Sequence, residues 1–148
     1  MNDPAALGSV NDVDDSGEER AQFASGEAVL VRLIVEAEPG VAAPRVVIEL
    51  RDDDGVVLGH VSQELAPLGW RGGGRHEVSF HLDRLPLAEG RFHLRVSLAD
   101  ATTGALLHAR DDALRFFVFP AGSESGVVLL DGGWSMQEID PVAPTSEP

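Results

Sequence analysis

The stretch Leu85-Pro-Leu-Ala-Glu-Gly-Arg-Phe-His-Leu-Arg-Val-Ser-Leu98 decides the fold. A turn ending in Glu89-Gly90 leads into a segment whose residues alternate strictly. Phe92, Leu94, Val96 and Leu98 point one way; Arg91, His93, Arg95 and Ser97 point the other. Successive side chains of an extended chain stand on opposite faces, so a period of two marks a strand with one buried and one wet face. The same period recurs on both sides of this stretch. Residues 114–119 set Leu114, Phe116 and Val118 inward and Arg115, Phe117 and Phe119 outward. In Arg45-Val-Val-Ile-Glu-Leu50 the inward set is Val46, Ile48 and Leu50, and in residues 76–82 it is Val78, Phe80 and Leu82.

Further strands fill the gaps. In residues 27–36, Val29, Val31, Leu33 and Val35 form one face, while Leu30 and Ile34 lie opposite, so both faces are partly covered. Asp52-Asp-Asp-Gly55 is a hairpin signal, with residues 56–61 as the partner strand. Residues 65–74, with Pro67 and four glycines, make a long loop that carries Trp70. Residues 105–110 and Val127-Val-Leu-Leu130 are the remaining strand candidates. No segment shows a 3.6-residue period of helical length; residues 83–87 offer one turn at most. Short strands separated by turn signals predict an all-β fold, an antiparallel sandwich of immunoglobulin-like type, without the Cys-Trp-Cys core of antibody domains.

With 148 residues the chain is expected to form one domain, able to bury a core without disulfides or metal. It has no Cys, which removes thiolate chemistry and cysteine metal sites. The net charge is −14 and every basic residue is Arg. Much of the acidity is peripheral. Residues 1–19 are acidic and expected to be flexible, with Leu7, Val10 and Val13 allowing a short edge strand; residues 20–134 are the sandwich; residues 135–148 form a polar tail. A surface of this sign repels nucleic acid and anionic membrane. The first twenty residues are too acidic for a signal peptide, and no run is long and apolar enough for a membrane helix.

Motifs of catalysis are missing. There is no Gly-x-Ser-x-Gly elbow, and without Lys a standard phosphate-binding loop is impossible. Gly72-Gly-Gly74 joins two strands and opens no helix. His76 and His81, five apart on a strand, project to opposite faces and cannot chelate together. Asp52-Asp53-Asp54-Gly55 lacks the twelfth-position Glu of a calcium loop. No enzyme activity, cofactor or metal is expected.

The wet strand faces carry more. If the strands that contain Arg45, Arg91 and Arg115 are neighbours in one sheet, their outward residues form a field of Arg, His and Glu around exposed Phe rings. Carbohydrate sites are built from such parts: an aromatic ring covers the apolar C–H face of a sugar, and planar polar groups bracket its hydroxyls. The candidate sugar contacts are Arg91, His93, Arg95, Arg115 and Phe117, with His60 and Glu49 behind them. Trp70 is a separate candidate on its glycine-rich loop, equally suited to plugging the end of the sandwich.

Several segments resemble the C-terminal domain of Wzt-type proteins, the ATPase subunits of bacterial ABC transporters that export O-antigen and related polysaccharides. They are Phe23-Ala-Ser-Gly-Glu27, Leu85-Pro-Leu-Ala-Glu-Gly-Arg-Phe-His-Leu94, Phe116-Phe-Val-Phe119 and Gly126-Val-Val-Leu-Leu-Asp-Gly-Gly-Trp134. The resemblance spans residues 17–134. It implies a jelly-roll or immunoglobulin-like sandwich that binds finished polysaccharide as export cargo in the cytoplasm, next to the transporter's ATPase and membrane subunits. It also implies a homodimer that exchanges the terminal strand Val127-Val-Leu-Leu130. No ATPase motif is present in this chain. The alternative is a sandwich that uses the same face for protein interaction or dimerisation without glycan.

Overall fold

Alternation becomes sheet wherever the inward residues of two strands can share one core. The computed structural model describes residues 5–13 and 17–120, and nearly all of them are strand, bend or turn. The strands are β1 Ala5–Val13, β2 Gln22–Ala24, β3 Val29–Ala37, β4 Pro44–Asp52, β5 Val57–Glu64, β6 Gly74–Leu82, β7 Gly90–Asp100 and β8 Leu106–Phe119. One 3-10 turn, Ala66–Leu68, interrupts the loop before β6. They form a three-stranded sheet ordered β1-β3-β6 and a five-stranded sheet ordered β2-β8-β7-β4-β5. All pairings are antiparallel except β2 with β8, which is parallel. No helix among the described residues is long and apolar enough to cross a membrane.

The two sheets face each other over a core of the residues that alternation marked. Val31, Leu33 and Val35 of β3 meet Val46 and Ile48 of β4, Phe92, Leu94, Val96 and Leu98 of β7, and Phe116 and Val118 of β8. Phe116 packs edge-on against Phe23 of β2, with ring centroids 6.4 Å apart, and lies 5.8 Å from Phe92. At the β4–β5 turn, the Asp52 carboxylate accepts hydrogen bonds from the backbone N–H groups of Asp54 and Val56, and Gly55 supplies the positive φ.

Three elements differ from what the sequence suggests. The acidic start of the chain holds the edge strand that Leu7, Val10 and Val13 allowed, but it is longer, nine residues in place of a short or flexible segment: β1 pairs with β3, and Ala5, Leu7 and Val10 are core residues. Its alternation is hidden because one extra residue is inserted between Leu7 and Val10, a β-bulge. β8 is one strand of fourteen residues, where two were expected, because residues 111–113 bulge out of the ladder with β7. β2, only three residues long, has no period to detect. The strand Val127-Val-Leu-Leu130, Trp134 and the polar tail lie outside the described residues.

The sheets are tied together along the β1–β8 side. Arg110 of β8 donates to the carbonyls of Leu7 and Gly8 in the β1 bulge, at 2.8 and 2.6 Å. The backbone N–H of Leu7 donates to His108 Nδ1 at 3.0 Å. On the opposite side β5 and β6 belong to different sheets and do not pair with each other.

Candidate functional site

The register of the five-stranded sheet gathers the outward residues into rows. Glu49 of β4 lies between His60 of β5 and Arg95 of β7. One row along, Arg51 faces His93, which faces Arg115 of β8. In the next, Arg91 faces Phe117, and Phe117 faces Gln22 of β2. Seven of the eight expected sugar contacts, namely Arg91, His93, Arg95, Arg115, Phe117, His60 and Glu49, therefore share one sheet face. They share it because parity along each strand places them opposite the core set, and because β8, β7, β4 and β5 are consecutive neighbours; His60, on the edge strand, also borders the space between the sheets.

Ion pairs organise this face. Arg51 binds Glu49, Arg95 binds Asp111 at 2.8 Å, and Arg115 binds Asp112 at 2.9 Å. His93 Nε2 lies 3.6 Å from the same Asp112 carboxylate. The Arg115 hydrogen bond holds the Asp112 carboxyl below its ordinary range, with smaller contributions from the charges of Arg115, His93 and Arg51. These pairs are solvent-screened, so they set geometry more than stability. Of these side chains Arg115 is well exposed, while Glu49 and Arg51, neighbours on β4, are largely covered. Among the charged residues of the face, Arg91 makes no ion pair and no side-chain hydrogen bond within the described residues.

A cleft of about 500 Å³ opens where the rows end, lined by Arg91, His93, Arg115, Phe117, Gln22 and Asp53 among others. Phe117 is half-buried, so one ring face is available, while Arg91 and Arg115 are exposed at its flanks. Glu49, His60 and Arg95 continue the face beyond the cleft and do not line it. Gln22, Asp53, Asp111 and Asp112 join the site without having been picked out. Asp111-Asp112 is conspicuous in the sequence, but only the bulge in β8 turns it toward the Arg95 and Arg115 guanidinium groups.

Trp70 stands elsewhere. Its indole N–H donates to the Val41 carbonyl at 2.8 Å, and its ring stacks on His76 with centroids 4.1 Å apart. It packs against the core at the end of the sandwich, a plug on the loop between β5 and β6. The His76 ring is fixed in turn by a 2.8 Å hydrogen bond with the Gly73 carbonyl. Gly73 has a φ of +153°, and a Cβ there would come within 2.9 Å of the Glu38 carbonyl. Gly73 thus serves close packing against the turn after β3. Among the described residues no cluster of His, Asp and Glu is arranged to hold a metal ion.

A two-sheet β-sandwich with a polar, aromatic-bearing outer sheet face is the class of domain that the fold and this site define. Comparison with known proteins makes the assignment narrower. The family model of the Wzt C-terminal domain matches residues 4–130, and the chain belongs to that family. The crystal structure of the C-terminal domain of Wzt superposes with a TM-score of 0.75 at 17% identity, covering 93% of this chain and 86% of that one. A CARDB domain from Pyrococcus furiosus, solved with two metal ions, gives a TM-score of 0.47 at 9% identity, covering 81% of this chain and 98% of that one. No curated protein matches the sequence. The sandwich fold and the kinship to Wzt that the sequence suggested are both present, and the family associates this domain with ABC transporters of polysaccharide export.

Proposed function

We propose that the outer face of the five-stranded sheet binds a cell-surface polysaccharide of O-antigen type and so selects it as cargo for an ABC transporter. The observation that carries this reading is the convergence of Arg91, His93, Arg115 and Phe117 on one cleft. The Phe117 ring offers a stacking surface for a pyranose, and the surrounding guanidinium and imidazole groups offer donors to its hydroxyls. Arg91, uncommitted among the described residues, is the donor most ready to bind ligand. Glu49, His60 and Arg95 extend the face along the polymer. The role is recognition without catalysis.

In this reading the domain acts in the cytoplasm, held near the inner membrane by the exporter's ATPase and transmembrane subunits. It works as a homodimer whose protomers exchange Val127-Val-Leu-Leu130, an apolar strand after the Gly122-Ser-Glu-Ser-Gly126 spacer. The support for this part is family membership and the apolar character of that segment.

The test is a titration of the domain with the surface polysaccharide of its own source, followed by two-dimensional NMR. Shifts confined to Arg91, His93, Arg115, Phe117 and their neighbours are expected. Phe117→Ala should weaken binding about three- to tenfold, the range of one aromatic stacking contact. A folded dimer that shows no shift with this polymer would overturn the reading in favour of an assembly face.

A further inference from the structure

Between the two sheets, on the side where β5 and β6 part, lies a second cavity of about 240 Å³. Its walls are apolar, among them Val31, Ile48, Leu50, Phe80, Leu82 and Leu94. Two polar side chains interrupt these walls: His60 of β5, at an exposed position on the rim, and Asp12 of β1. The Asp12 side chain is almost wholly buried, with 4% of its surface exposed, and its Oδ2 atom has no hydrogen-bond partner among the described residues.

The position of Asp12 follows from a structural device. Continued from Ala5 and Leu7, a regular strand would turn Ser9, Asn11 and Val13 inward. The bulge between Leu7 and Val10 adds one residue and reverses the parity, so Val10 and Asp12 face the core and Asp12 stands opposite Val31. The bulge is held by the two hydrogen bonds from Arg110 and packs closely at Gly8, where a Cβ would lie 3.1 Å from Ile34 Cβ. The fold thus commits an arginine and a glycine to a distortion whose effect is to aim one carboxyl into an apolar cavity. A carboxyl oxygen left without a partner in such surroundings is costly unless it meets a hydrogen-bonding group.

We propose that this inter-sheet cavity is a binding site for a small apolar molecule bearing a hydroxyl group, anchored by the Asp12 carboxyl. An apolar cavity of roughly 150 Å³ accepts benzene, so this one has room for an aromatic ring or short alkyl chain with a hydroxymethyl arm. Burial without a compensating charge lifts Asp12 to a pKa of about 7, so near neutrality a large share of the carboxyl is protonated and both donates and accepts. A hydroxyl has the same dual character and satisfies it. An ammonium ligand would have to be stripped of water and find its remaining donors unmet by this wall, and a carboxylate ligand would be stripped likewise. The cavity opens between the sheets and the sugar cleft on the outer face; Phe116 borders both and His60 of the outer face also reaches the cavity rim, while Asp12 borders the cavity alone.

The test is methyl and carboxyl 13C NMR of the protein titrated in parallel with benzyl alcohol and toluene. Benzyl alcohol is expected to shift the methyls of Val31, Ile48, Leu50, Leu82 and Leu94 and the Asp12 carboxyl carbon; toluene is expected to shift the methyls alone. Asp12→Leu should lower the preference for benzyl alcohol over toluene about three- to tenfold, the range of one hydrogen bond. If that variant does not fold, the response of the Asp12 carbon in the unaltered protein decides. Methyls that stay unmoved up to the solubility limit of both probes would overturn the proposal. So would methyl shifts with a carboxyl carbon indifferent to the alcohol, or with an unchanged preference in Asp12→Leu.

Discussion

The two long sides of the sandwich are closed by opposite means. Along β1 and β8 the sheets are joined by directional polar contacts, with Arg110 and His108 gripping backbone groups of the β1 bulge. Along β5 and β6, among the described residues, no ladder joins the sheets, and the core beneath opens into the apolar cavity, which Asp12 reaches from β1. A sandwich buries its core by hydrophobic contact, which is non-directional and fixes distance poorly. Hydrogen bonds to a charged group fix it well. One side is thereby set as the hinge line of the architecture, and the other is left free to be shaped by what enters it.

Changes at each side should show this contrast, beginning with Asp12, where the effect is largest. The folded-state pKa of about 7 stands above the ordinary 3.8, so the native protein holds its proton more tightly than the unfolded chain does. Stability from this group is fully present below about pH 4 and is lost as pH rises to about 7, by an upper bound of roughly 4 kcal/mol. Asp12→Asn removes the ionisation. Its denaturation free energy should exceed that of the unaltered protein by a few kcal/mol at pH 8, and the fall in stability between pH 4 and 7 should largely disappear. Equal pH profiles in urea melts of the two proteins would show that the carboxyl is better solvated than its burial implies.

The joined side comes next. Arg110→Ala leaves the Leu7 and Gly8 carbonyls without their donor and should cost about 2–3 kcal/mol in a urea melt. Amide exchange should rise first in β1 and only later in β7. Uniform loosening of both sheets would mean that the bulge is not the point of closure. The smallest effect belongs to the outer face. Arg95→Ala breaks an exposed pair with Asp111 and should shift stability by less than about 1 kcal/mol. A larger loss would show that the surface ion pairs support the sheet, as well as ordering its side chains.

The same contrast explains which parts of the molecule were legible from its sequence. β7 was plain because Phe92, Leu94, Val96 and Leu98 alternate with Arg91, His93 and Arg95; the exception is Ser97, expected on the wet face and found buried. The Asp52-to-Gly55 turn was plain because only certain residues tolerate its backbone. The outer-face site was largely legible as well, since parity along β4, β7 and β8 determines which side chains leave the core. β1 was not, because its bulge breaks the period and Asp12 contradicts the expected chemistry of an inward position. The Asp111 and Asp112 partners were hidden for a related reason: a bulge in β8 decides which way they turn. Trp70 was visible as a landmark, but its partners Val41 and His76 come from distant parts of the chain and no local pattern announces them. Local periodicity survives where strands are regular, and it fails at the irregularities on which closure and the buried carboxyl depend.

The grip of β8 on β1 also has a bearing on the order of folding. His108 and Arg110 reach partners 101 to 103 residues earlier in the chain. Nearly the whole domain must therefore exist before its first strand can be fastened, and the entropy of closing so long a loop has to be met before those contacts help. Domains dominated by such distant pairings fold in milliseconds to seconds, far slower than helical bundles. On a growing chain β1 would wait as an apolar, bulged strand while β2 to β7 are made, with β3 as its early companion. Its polar contacts with β8 can form only once β8 has been made, and they add to the core contacts through which β3 already joins the two sheets.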